Sequence, residues 1–446
     1  MSKELSRRDL LKGSALAAVG LSLAGAASKA EAESAAAAQQ AKPITGRRPR
    51  VAVIGAGGKG WSGMQDAANH GDIIAIADVD ANNRSKAMLE HPRAATFVDY
   101  REMYEAMKGD IDAVVISTPD HHHAIASIIA MKQGIHCYCE KPLTKTIWEA
   151  REMAKIAKSK KVATQMGNQS TANSNLRKVA KMIREGLIGD VKEVHVWTNR
   201  PVWGQGIPRS EVIAVPKHLD WDVWLGPAPE RPFGKGYHTF HWRGWWDFGT
   251  GALGDMGCHI FNMAFMALDL KDPLWVQAQT SGHNKDSFPS WSIVDYEFAA
   301  TKSRPGVMLH WYDGGKKPDP KVAPNVEYGG NGLIAVGSKG IICNTDESNN
   351  NTLYFVGDSA QTLPDMKIDE SPGHMAEFFR AVQGGPEAVS NFPNYAGPLT
   401  ETVLLGNLAV WADGKKVEWD AKRMRTKGTD EFNSLIRPTY RAGWGF

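Results

Sequence analysis

Two places in this chain have residue types and spacings suited to chemistry. Asp255 and His259 lie four positions apart in FHWRGWWDFGTGALGDMGCHIFN, Phe240 to Asn262. On a helix both side chains project from one face, a turn apart. A carboxylate beside an imidazole can start a metal site, or it can orient a base whose intrinsic pKa is near neutrality. It can also be an ordinary helical hydrogen bond. Lys141, in Glu140-Lys141-Pro142, follows the apolar run HCYC. A lysine there can donate to an oxygen that gains negative charge, or it can simply end a strand in solvent.

The segments that must position these residues alternate. RVAVIG reads as a buried strand, 58–70 as a helix and DIIAIAD as a second strand. ATFV, DAVVIS, HCYCE and KVATQMG follow as strands separated by helical stretches. Such alternation predicts a parallel sheet covered on both faces, an α/β Rossmann domain. Gly55, Gly57 and Gly60 form GxGxxG, with Gly58 and Lys59 between them, at the first strand-to-helix turn. Asp78 closes the second strand. In that context the glycines let a pyrophosphate approach a helix N-terminus, and the carboxylate takes ribose hydroxyls. A carboxylate repels a 2′-phosphate, so the expected cofactor is NAD rather than NADP.

Strand ends on the carboxyl side face the ligand crevice. This adds Thr118, Pro119, His121, His123, Glu140 and Lys141 to the expected cofactor contacts, with Asn168 at the next strand end. His121-His122-His123 is a poor metal set, because neighbours on a helix point about 100° apart. No metal site is patterned elsewhere. The four cysteines read as free packing thiols.

The length of 446 residues suggests two domains. A net charge of +3 with interspersed signs announces no nucleic-acid face. Ser6-Arg7-Arg8 followed by GSALAAVGLSLAGAA and small residues around Lys29 reads as a twin-arginine export signal over 1–30. The expected location is therefore periplasmic or otherwise exported, with no stable membrane insertion. An Ala/Gln/Ser-rich linker is expected over 31–49, the nucleotide domain over 50–167 and a second domain over 168–446. The basic cluster Arg47, Arg48, Arg50 reads as the flank of a domain start.

Taken together, GAGGKG, Asp78, STPDHHHA and Glu140-Lys141-Pro142 resemble the glucose–fructose oxidoreductase, inositol dehydrogenase and rhizopine-catabolism family (Gfo/Idh/MocA). The resemblance implies a second α+β domain with an open, mainly antiparallel sheet, often used for oligomer contact, and hence a homodimer or homotetramer. It also implies that Lys141, Asp255 and His259 are catalytic, and that helices near the C-terminus pack back on the nucleotide domain. One branch, the NAD-dependent α-N-acetylgalactosaminidases, oxidises a sugar transiently, eliminates the aglycone and reduces again. That branch lacks the lysine of Glu-Lys-Pro, which this chain keeps. The activity implied is NAD-dependent oxidation of a sugar, polyol or glycoside. The alternatives are redox-assisted glycoside cleavage and a non-catalytic sugar-binding protein.

Beyond 168 the chain turns to strand runs: VKEVHVWTNR, LWVQAQTSG, WSIVDYEFA, GVMLHWYDG, LIAVGSKGIICN and TLYFVG. Seven of the fifteen tryptophans fall between Trp197 and Trp246. Their apolar faces suit the C–H face of a pyranose ring. His241, Trp242, Arg243 and Trp245 are the expected substrate contacts, and the tail from Thr426 is expected to embrace a partner subunit.

Overall fold

A computed structural model describes residues 40–346 and 350–446. The segment read as an export signal, and the linker up to 39, lie outside the described residues. Residues 40–49, expected as linker, are packed. Ala41 N donates to the Lys160 carbonyl at 2.9 Å and Ile44 N to that of Val382 at 3.0 Å. Arg47 reaches Asp112, Arg48 reaches Asp72, and Arg50 reaches Asp110.

The first sheet contains β1 (Arg50–Ile54), β2 (Asp72–Ala77), β3 (Ala95–Phe97), β4 (Ala113–Ile116), β5 (His136–Cys139) and β6 (Thr164–Met166). The strands run parallel in the order β3-β2-β1-β4-β5-β6. Val51, Val53, Val114 and Val115 have no exposed surface, as strands covered on both faces require. The strand order reverses between β1 and β4, so their carboxyl ends open a crevice beside Gly55 and Ser117.

The second sheet joins β7 (Val191–Trp197), β8 (Trp275–Thr280), β9 (Ser292–Phe298), β10 (Val307–Tyr312), β11 (Gly332–Gly337), β12 (Ile341–Asn344), β13 (Thr352–Val356), β14 (Ser359–Gln361), β15 (Val417–Asp420) and β16 (Arg425–Thr426). Their order is β14-β13-β12-β11-β7-β10-β9-β8-β15-β16, antiparallel at every junction except β7 with β10. LIAVGSKGIICN is a hairpin, not one strand, because Ser338-Lys339-Gly340 turns the chain between β11 and β12.

One face of this sheet packs on helices Gly251–Ile260, Asn262–Leu268 and Gly397–Ala412. Helix Gly397–Ala412 is buried on nearly every side and joins the domains. Its Thr400 hydroxyl accepts from Leu143 N at 3.3 Å, and Glu401 receives Arg151 at 2.7 and 2.5 Å. Helix His374–Val382 lays Phe378, Phe379 and Val382 against Val51, Val115 and Tyr138.

The tail from 426 packs on the chain. Trp444 is buried beneath Arg101, whose guanidinium carbon lies 3.5 Å from the ring centroid, and the Tyr440 hydroxyl donates to Glu149 at 2.8 Å. All four cysteines are free and buried. No helix among the described residues is long and apolar enough to cross a membrane.

Candidate active site

After β1 the backbone passes through Gly55 at φ +81°, where a Cβ would lie 2.6 Å from the Ser117 carbonyl oxygen. Gly60 packs so closely that a Cβ would meet the Gly55 carbonyl oxygen at 2.0 Å. Gly58 precedes helix Lys59–Ala68 with φ +51° and nothing within 4 Å of an added Cβ, so a phosphate can approach that helix N-terminus. Asp78 is fixed at the end of β2. Its oxygens accept from Ala56 N and Asp80 N, each at 2.8 Å, and from Asn83 at 3.2 Å. Burial nevertheless raises its pKa, against the pull of these donors.

A cavity of about 740 Å³ opens from this turn and runs between the domains. Thr118 and Pro119 edge it, and Lys141, Asp255 and His259 form its far wall. Helix Gly251–Ile260 carries both Asp255 and His259 to the cavity. Lys141 Nζ donates to the Asp255 carboxylate and to its backbone carbonyl, both at 2.8 Å, and Arg243 Nε donates to the same carboxylate oxygen at 3.0 Å.

Burial alone would raise the Asp255 pKa. Lys141 and Arg243 outweigh it and hold the carboxyl well below the usual range. Burial, with Lys141 as the main charge, lowers His259 to about 3, so its imidazole stays neutral. Glu140, though buried, also lines the cavity. It accepts from Gln169 at 3.1 Å and lies 3.8 Å from Lys59 Nζ.

Several expected contacts point elsewhere. His121 and His123 are turned inward. The ring nitrogens of His121 lie 3.1 and 3.0 Å from the Phe248 and Trp224 carbonyls, and those of His123 lie 2.7 and 2.9 Å from Pro142 and Thr118. His122, between them, lines the cavity instead. Asn168 is wholly buried, accepting from Ser390 at 2.5 Å. Trp245 is packed edge-on against Tyr237 at 5.1 Å and is buried, so it cannot be a sugar platform. His241 sits outside the lining, with Nδ1 accepting from Gly204 N at 3.4 Å.

Trp242 and Arg243 do line the cavity. The guanidinium carbon of Arg243 lies 4.2 Å from the Trp242 centroid and 4.9 Å from that of Phe240. Arg243 is thus already held by an aromatic cage and a carboxylate.

Residues not anticipated are Trp203 and above all Asp120, the first residue of helix Asp120–Lys132. The Thr250 hydroxyl donates to Asp120 at 2.6 Å, yet burial raises this carboxyl to about 7. Its position directly after Thr118-Pro119 was the available signal.

Two family models cover nearly the whole described chain. Residues 49–168 match the Gfo/Idh/MocA oxidoreductase family's NAD-binding Rossmann fold, and residues 172–446 match its C-terminal alpha/beta domain. The chain belongs to the Gfo/Idh/MocA oxidoreductase family.

A glycosyl hydrolase family 109 protein of Saccharopolyspora erythraea is 28% identical over 276 residues, 57% of this chain and 53% of that one. An alpha-N-acetylgalactosaminidase of Shewanella oneidensis is 30% identical over 210 residues, 42% of this chain and 44% of that one. The chain thus spans about half the length of these curated relatives. The WlbA dehydrogenase of Bordetella pertussis, solved with NADH and UDP-GlcNAcA, superposes with a TM-score of 0.60 at 17% identity, over 84% of this chain and 99% of that one. This likeness shows the shared fold. Within the Gfo/Idh/MocA framework the open turn at Gly55–Gly60 and the fixed Asp78 carboxylate suit NAD.

Proposed function

We propose that the protein oxidises or reduces a secondary alcohol of a sugar, polyol or glycoside, with NAD seated on the Gly55–Gly60 turn. The observation that carries this reading is the Lys141–Asp255 pair, closed at 2.8 Å, in the same cavity as that turn and His259. Bound NAD supplies the hydride-accepting or hydride-donating ring. The chain supplies the proton chemistry and the positioning. Neutral His259 takes the proton of the reacting hydroxyl. Lys141 donates to that oxygen as it becomes a carbonyl. Asp255 holds Lys141 in place and accepts from a neighbouring hydroxyl. Trp242, Trp203 and Phe240 offer apolar surface to the sugar's C–H face.

A second reading draws on the likeness to the family 109 proteins and on Asp120. A carboxyl titrating near 7 can lose and regain a proton within one turnover. An oxidise–eliminate–hydrate–reduce route on a glycoside needs such a group. The two readings differ in their products. Net oxidation yields NADH in step with a keto-sugar, whereas glycoside cleavage releases an aglycone with no net NADH.

The twin-arginine pattern at Arg7-Arg8 underlies one further element of the proposal. An exported enzyme has little free NAD available, so the cofactor is loaded before export and retained. The test is to denature purified protein and quantify the nicotinamide released, then screen the holoenzyme against free sugars and glycosides. Near-stoichiometric nicotinamide and a turnover lost in both Lys141→Ala and His259→Ala are expected. Undiminished turnover in those variants overturns the assignment, and a freely exchanging cofactor overturns retention.

A further inference from the structure

On the sheet face turned away from the helices, two adjacent strands and a third bring a distinct group together. Along β7, Val194 and Val196 enter the core, so Glu193 and His195 share the opposite face. Along β10, Leu309 and Trp311 enter the core, and His310 is on that same opposite face. The parallel register sets His310 directly beside His195, and the antiparallel register with β9 sets Asp295 on its other side.

Three ligand-type atoms converge there. Glu193 Oε1 lies 2.9 Å from His195 Nε2 and 3.5 Å from His310 Nε2, and all three lie within 4.8 Å of one another. The other ring nitrogens are engaged. His310 Nδ1 lies 2.6 Å from Asp295 Oδ1, and His195 Nδ1 lies 3.0 Å from the Tyr312 hydroxyl. A proton on His310 Nδ1, donated to Asp295, leaves the Nε2 lone pair facing Glu193. His195 is 4% exposed, and its Nε2 faces the Glu193 carboxylate at 2.9 Å.

We infer that Glu193, His195 and His310 form a binding site for a zinc-type divalent cation, separate from the interdomain cavity. A divalent cation at this point would take the Nε2 lone pair of each imidazole and the charge of the carboxylate. A four-coordinate zinc with bonds of about 2.0–2.2 Å spaces its ligand atoms roughly 3.4 Å apart, beside the 2.9 and 3.5 Å from Glu193 to the two rings. The two rings are stacked with centroids 4.9 Å apart and planes at 21°. Two imidazoles and one carboxylate favour zinc, cobalt or nickel over magnesium or calcium. Asp295 and Tyr312 are the supports that fix ring orientation. Three protein ligands leave the fourth position to water.

The test uses the full chain without a histidine tag, stripped with EDTA, dialysed and titrated with zinc chloride by calorimetry. Cobalt is added in parallel to read visible d–d absorption. One equivalent per chain and a four-coordinate cobalt spectrum are expected. His310→Gln should weaken zinc at least 100-fold, and Asp295→Asn should weaken it about 10- to 100-fold. Circular dichroism and a melting curve establish that each variant is folded. Absence of stoichiometric binding overturns the site, as does binding that persists undiminished in folded His310→Gln and Glu193→Gln.

Discussion

A histidine and a carboxylate share a cluster in the interdomain cavity and again on the second sheet, and the neighbouring charges set the two clusters apart. In the interdomain cavity, Asp255 and His259 sit beside Lys141 and Arg243, whose nitrogens lie 2.8 and 3.0 Å from the carboxylate. Two fixed cations satisfy that carboxylate and repel a third, so the cluster is built for proton chemistry. On the open sheet face, the charges acting on His195 are His310, Glu193 and Asp295. Among the described residues, no lysine or arginine forms an ion pair with Glu193 or Asp295. On the roles proposed above, the same side-chain types serve a hydroxyl in one place and a metal ion in the other.

The largest effects should come from removing the cavity's charged partners. Lys141→Ala should lower kcat about 10²–10³-fold and His259→Ala about 10²–10⁴-fold. Single-turnover formation of NADH measures both. Trp245 and Trp242 sharpen the picture of the wall. Trp245→Ala empties a buried site and should cost about 3–5 kcal/mol of stability, read by denaturant unfolding. Trp242→Ala should instead raise KM, because it loosens the cage around Arg243 at the cavity.

Two reciprocal changes test the comparison itself. Lys141→Met removes the main charge that lowers His259, so its pKa should rise from about 3, as followed by imidazole NMR shifts. Asp295→Lys puts a cation beside His310 and should weaken zinc at least tenfold in calorimetry. An unmoved His259 or undiminished zinc binding would show that the cations do not decide the difference.

Much of the cavity was legible because its parts are local in sequence. GAGGKG lies on one turn, Asp255 and His259 on one helix, and Lys141 directly after a strand. Their meeting required only the parallel order of the first sheet and a second domain folded over it. Which rings face the cavity was not legible. His121, His122 and His123 are consecutive, and the carbonyls of Phe248, Pro142 and Thr118 hold the rings of His121 and His123 inward. Those partners lie up to 127 residues away. Trp242 and Trp245 likewise differ through packing on Tyr237, which no local periodicity announces. The sheet-face group was missed for the same reason. Glu193 and His195 are two apart on an alternating strand, but His310 arrives through the parallel register of β7 and β10.

The smallest change tests whether Asp120 is the group that titrates in the cavity. Burial raises its carboxyl to about 7, although the Thr250 hydroxyl, Arg243 and Lys141 pull the other way. The folded state therefore prefers the protonated form over a range where the unfolded chain, near 3.9, has already ionised. Its contribution to stability is complete below about pH 4 and is lost as pH rises through about 7. Asp120→Asn keeps an acceptor for Thr250 but carries no ionisable proton. In the wild type, kcat/KM should bend near pH 7, with a limb approaching tenfold per pH unit. The variant should lose that bend, and its melting temperature should fall less between pH 5 and 8. A bend near 7 that survives in Asp120→Asn belongs to another group and removes Asp120 from the chemistry.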